Sequence, residues 1–137
     1  MATSVTFGNH VATRITDDAG YLMVPDTTYY ISLHSADPST TGINELAATY
    51  AYARAPYTNG AANWAAISGG STNNLNAITF TAASGGAWAS ATHFGVWNDA
   101  AGTASNFMFG GLLTAPVVCN DGDAVQFQAT KLVITIT

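Results

Sequence analysis

From residue 29 onward, apolar and polar positions alternate with a period of two, the pattern of half-buried β-strands. Tyr29, Ile31 and Leu33 share one face of a strand, and Tyr30, Ser32 and His34 the other. Residues 50–57 alternate again, with Ala51, Ala53 and Ala55 as a flat small-residue face, and Pro56 assigns the segment to an edge or a strand end. Ile78 shares a face with Phe80 within 75–81, and Phe94 with Val96 within 93–98. Residues 107–113 form a further strand whose glycines signal a bulge or a close backbone approach. Residues 116–119 run into the turn Asn120-Asp121-Gly122-Asp123, and 124–128 answer it. In the last segment Leu132, Ile134 and Ile136 alternate with Val133, Thr135 and Thr137. The predicted fold is all-β, an antiparallel β-sandwich of seven to eight short strands.

Residues 1–28 differ from this β domain, 29–137. Positions 8–16 predict a short helix with Asn9 as N-cap, the alternative being an extended arm of the kind that seeks a neighbouring subunit. Val, Ile and Thr, stiff at χ1, weaken the helix. Two loops interrupt the strands. One, 35–49, is rich in turn residues; the other, 58–74, is the longest irregular stretch, and Trp64 and Ile67 are placed to pin it.

Composition narrows the function. The 137 residues include 3 basic and 8 acidic ones, a net charge of −5. Charged residues make up 8%, against roughly 25% in an ordinary soluble domain. The polar surface falls instead to 19 Thr, 9 Ser and 10 Asn. Three cations do not neutralise a run of phosphates, so nucleic acid is not an expected partner. There is no polybasic segment or long apolar run, so no membrane partner is expected either. The segment 1–7 has no secretory pattern, which points to synthesis in a host cytoplasm. Cys119 stands alone, so no disulfide and no cysteine-rich zinc site forms within the chain.

Candidate chemistry is sparse, and no cofactor is expected. His34 and His93 lie on strands, and Asp37 follows His34 by three residues. A metal site or a Ser/His/Asp arrangement needs these groups to converge; otherwise they are strand polars bonded to neighbours. The run 120–123 carries calcium-type oxygens but lacks EF-hand spacing, so a hairpin turn accounts for it. Trp64, Trp88 and Trp97 are either a sugar-stacking surface or buried anchors. Glu45 and Arg54, nine residues apart, are a candidate bidentate ion pair fixing the loop between them. Cys119 reads as a small strand hydrophobe rather than a nucleophile.

Tyr30-Ile31-Ser32-Leu33-His34-Ser35-Ala36-Asp37-Pro38, then Asn44-Glu45, Tyr52-Ala53-Arg54, and later Thr92-His93-Phe94-Gly95-Val96-Trp97 and Gly122-Asp123, together resemble a family of small tailed-bacteriophage virion proteins. The resemblance spans 29–136. Members are labelled tail fibre proteins, and similar small sandwiches, some from cyanophages, are capsid cement (decoration) proteins. It implies a non-enzymatic structural protein on the capsid exterior, stabilising capsomer contacts of an HK97-like major capsid protein. The alternative is a minor tail or fibre-tip protein that binds host glycans. Exposed strand edges favour self-association as a dimer or trimer. The candidate contact residues are Val5, Phe7 and His10 in the arm, Asp37, Pro38 and Ile43 in the first loop, and Trp64 and Ile67 in the second.

Overall fold

The computed structural model describes residues 6–7, 27–66 and 68–135. The expected helix over 8–16 lies outside them, as do Val5, His10 and Ile67. Among the described residues nine strands are seen: β1 (Thr6–Phe7), β2 (Thr28–His34), β3 (Ala55–Thr58), β4 (Ser71–Asn73), β5 (Ile78–Thr79), β6 (Ala91–Trp97), β7 (Phe107–Val117), β8 (Gln126–Phe127) and β9 (Val133–Thr135). They make one five-stranded antiparallel sheet, ordered β1-β7-β6-β2-β3, and two antiparallel ribbons, β4-β9 and β5-β8.

The period-two pattern explains the main core. Register pairs Ile31 with Val96 and Leu33 with Phe94, so these four share one face of the sheet. That face packs on Ile78, Phe80 and Leu132 from the ribbons and their flanks, giving the two layers of an all-β sandwich. Each large side chain so buried contributes about 1.5–3 kcal/mol. Asn74, fully buried where β4 ends, ties the layer together: its amide donates to the Asn76 and Gln128 carbonyls, and its oxygen accepts from the Leu132 amide.

Several strand boundaries differ from the sequence pattern. The alternation at 50–57 becomes a strand only from Ala55. Tyr50 and Ala51 take positive φ, 52° and 64°, so no continuous face of Ala51, Ala53 and Ala55 exists. Tyr52 is buried instead, with its hydroxyl accepting from the Leu33 amide at 2.9 Å. The segments 107–113 and 116–119 are one long strand, β7, with Pro116 inside it. Residues 124–128 do not answer that strand across the 120–123 turn, because β8 pairs with β5. The loop 58–74 also contains a strand, β4, paired with β9. Pro56 does sit on an edge strand, opposite Tyr30.

Candidate functional site

The second face of the five-stranded sheet carries the polar side chains that the sequence singled out. Tyr30, Ser32 and His34 on β2 stand opposite Trp97, Gly95 and His93 on β6. Gly95 supplies the space in this row. A Cβ there would lie 2.6 Å from both His34 Nε2 and Ser32 Oγ. Into that gap fits a buried chain of hydrogen bonds. Trp97 Nε1 donates to Ser32 Oγ at 2.7 Å, and Ser32 Oγ lies 2.7 Å from His34 Nε2. His34 Nδ1 lies 2.8 Å from the Ile43 carbonyl. A carbonyl only accepts, so Nδ1 carries the proton and the Ser32 hydroxyl donates to Nε2. Every member has a partner, which is what makes a buried polar network stabilising.

A serine on a histidine Nε2 is the geometry of an activated nucleophile. Here the pair is sealed. Ser32 and His34 are both 0% exposed, and His34 Nδ1 meets a carbonyl, not a carboxylate. Asp37 does not complete a triad: its exposed carboxylate accepts from the Ser39 amide at 2.8 Å. His93 is opposite His34 but partners Thr92, with Nδ1 2.9 Å from Oγ1. Among the described residues no group of three His, Cys, Asp or Glu could hold a metal ion. What the arrangement does is fasten a loop.

That loop, 35–46, lies over this face. Its return leg pairs with the end of β2: Ser35 donates its amide to the Asn44 carbonyl, and Leu46 to Leu33. Pro38 is buried, with its ring against the backbone of β7 near Gly110. It is therefore a core contact and not the partner contact expected of it. Asp37 and Ile43 remain exposed, Ile43 at 53%.

Glu45 and Arg54 meet at the loop's exit. Arg54 Nη2 is 2.8 Å from Glu45 Oε2, and Nε donates to Oε1 at 3.0 Å. Nη1 and Nη2 also donate to the carbonyls of Asp99 and Gly102. The guanidinium carbon stacks 3.4 Å above the Trp97 ring centroid. Tyr52 adds its hydroxyl to Glu45 Oε1 at 3.2 Å. Burial first, then the Glu45 charge, pushes the Tyr52 phenol far above its ordinary value. Ser32, Tyr52, Gly95 and Trp97 thus belong to the site; the sequence shows them only as members of the strings that carry the resemblance, and Trp97 also as a stacking ring or an anchor, with no sign of this network.

The tryptophans are anchors. Trp88 is 7% exposed and donates Nε1 to the Tyr50 carbonyl. Trp64 is half-buried, edge-on to Tyr57 with centroids 5.0 Å apart. Cys119 is a buried thiol, raised by desolvation, and the 120–123 run is a turn whose Asp123 carboxylate accepts from Asn120.

Burial lowers the His34 pKa from its ordinary value, against smaller raising effects from the Ile43 carbonyl and Glu45. The folded state therefore holds neutral His34 at pH values where the unfolded chain is protonated. Stability is expected to fall as pH drops below about 6.5, by at most about 1.4 kcal/mol per pH unit from this group. Urea unfolding at pH 7.5, 6.5 and 5.5 tests this. The His34→Asn variant, though less stable throughout, should show a shallower slope, and an unchanged slope would remove His34 as its cause.

The sealed serine–histidine pair, the buried tryptophans and the tied loop describe a scaffold built to hold a surface. No curated protein matches the chain. A model of a phage virion family matches residues 5–135, nearly the whole sequence, and the chain belongs to that family, the podophage GP4 fiber I protein gp80 family.

Proposed function

We propose that the chain is a non-enzymatic structural subunit of a phage fibre, joining virion proteins by surface contact rather than binding host sugars. The observation that carries this is the family match over 5–135. The contact surface we assign is the end of the sheet where loop 35–46 folds back. Ile43 and Leu112 lie on it, tied to each other beneath the surface through the buried His34 and its strand partner His93 by the Ile43–His34 hydrogen bond and strand register. The two outer members, Ile43 and Leu112, are each 53% exposed. Apolar side chains on a charge-poor surface suit a contact that depends little on salt. Glycan stacking loses Trp88, which is buried, and keeps only the half-buried Trp64, edge-on to Tyr57.

A second reading, a cement protein on the major capsid protein at the head exterior, is favoured by the form of the chain itself. It packs as a small sandwich with no extended repeating rod among the described residues. Quantitative gels of purified virions, separated into heads and tails, decide between them. A small number of copies travelling with the tail or neck is the expected result. Hundreds of copies travelling with heads would replace the fibre reading with the cement one.

A further inference from the structure

Water can reach His34 without the whole fold opening. His34 ends β2, and loop 35–46 offers its ring one group, the Ile43 carbonyl 2.8 Å from Nδ1. The other walls belong to the sheet. Register holds His34 opposite His93 and Ser32 opposite Gly95 on β6, and Phe107 of β7 meets the ring edge-on at 6.2 Å. The loop is fastened more lightly. Ser35 and Leu46 donate their amides across its two legs, and Gly42 and Ile43 donate theirs to the Pro38 carbonyl. The Thr92 hydroxyl donates to the Ser35 carbonyl. Loops tied by few bonds open locally at a lower free energy than the core.

We propose that loop 35–46 is a latch released by acid: a proton taken up by His34 opens the loop while the sheet beneath it stays paired. The hydrogen bonds run one way. Trp97 Nε1 donates to Ser32 Oγ, the Ser32 hydroxyl donates its one proton to His34 Nε2, and Nδ1 donates to Ile43. A second ring proton stands on Nε2 and faces the Ser32 proton, donor against donor. Ser32 then has to turn its hydroxyl away from the ring, in a place with no exposure to water. An unpaired buried hydroxyl and an unpaired buried charge are both costly. The charges around the ring give little relief. Arg54 lies over Trp97, whose ring is parallel to that of His34 with centroids 6.4 Å apart. Arg54 and, from β6, His93 oppose a cation at His34. Glu45, from the loop, favours one, but Arg54 and Tyr52 already hold its carboxylate. Asp37, also on the loop, is turned to the Ser39 amide. The protonated ring is therefore satisfied by water, and water reaches it when the loop lifts. Lifting also carries Ile43 off the sheet; on the contact surface proposed above, that displaces one of its two exposed apolar side chains.

Amide exchange followed by NMR, corrected for its intrinsic pH dependence, tests this on the unsubstituted protein alone, whatever its place in the virion. At pH 7.5 the Ser35, Gly42, Ile43 and Leu46 amides should exchange faster than the β2–β6 ladder and with little sensitivity to dilute urea, the mark of a local opening. At pH 5.5 their protection should be about tenfold lower, the most that one histidine gives one unit below its ordinary value. Unchanged protection would mean that the loop opens without exposing His34. Loop amides as protected as the ladder, with the same urea dependence, would mean that the loop leaves only with the whole fold. Either result overturns the proposal. Two variants separate the neighbouring histidines. In His34→Asn an amide can still donate to Ile43 but takes up no proton, so the drop should vanish. In His93→Asn it should remain. A drop that survives in His34→Asn, or disappears in His93→Asn, would overturn the proposal as well.

Discussion

Replacing Arg54 with alanine is expected to destabilise the fold by about 3 kcal/mol, seen as a fall in the thermal midpoint of roughly 10 °C. Arg54 is 9% exposed and Glu45 20%, so the pair is screened by protein on most sides. Truncation leaves the Glu45 carboxylate beside Tyr52 with no cation. It also strips the Asp99 and Gly102 carbonyls of a donor and bares the Trp97 ring. Losing one partner of a buried charge pair costs about 3–5 kcal/mol, and the exposed part of Glu45 moves the expectation to the lower end. Arg54→Lys should recover less than half of the loss. An ammonium keeps the charge but not the planar fork that reaches both Glu45 oxygens while stacking on Trp97. Glu45→Gln should cost only about 1–2 kcal/mol, since an amide retains an acceptor for Tyr52. Denaturant unfolding of the three variants gives the order. A loss below 1 kcal/mol for Arg54→Ala would show the pair to be solvated and the loop to be held by other means.

The sequence marks this site unevenly, and the reasons are physical. The sandwich is legible because half-buried strands write their faces at a period of two, as in β2 and β6. The Glu45–Arg54 pair is legible because charge is so scarce here: Glu45 is the one glutamate and Arg54 one of two arginines. The covering of the second face is not legible. Tyr30, Ser32 and His34 look like a solvated face, and only the tertiary position of loop 35–46 turns them into a second core. The strand over 50–57 failed for a related reason. Tyr52 is drawn inward by the Leu33 amide, which forces Tyr50 and Ala51 into the left-handed region. Neither propensity nor alternation encodes that long-range bond. Pro38 shows the same limit, since loop position alone suggests exposure and packing decides otherwise.

The residue that lets the loop close is Gly42, and Gly42→Ala is expected to cost about 3–4 kcal/mol. Two effects add. Its φ of +72° is left-handed, which costs an alanine about 1–2 kcal/mol. A Cβ there would also lie 2.2 Å from Trp97 Cη2, 2.4 Å from Cζ2 and 2.8 Å from Phe107 Cδ2. Overpacking of this kind costs about 1–3 kcal/mol when the neighbour gives way with difficulty. Trp97 has little room to give. Its Nε1 is bonded to Ser32, Arg54 covers one face, and Phe107 meets it edge-on at 4.8 Å. Gly122→Ala is the control that separates the two effects. Its φ is +85°, yet a Cβ there meets nothing within 4 Å, so only the backbone cost of about 1–2 kcal/mol remains. Equal losses for the two variants would mean that Trp97 yields freely and that the loop's closure does not depend on the missing side chain. A larger loss for Gly42→Ala, with Trp97 fluorescence becoming open to quenchers, is the outcome the packing predicts. It would show that the loop carrying Ile43 stays down only because position 42 has no side chain.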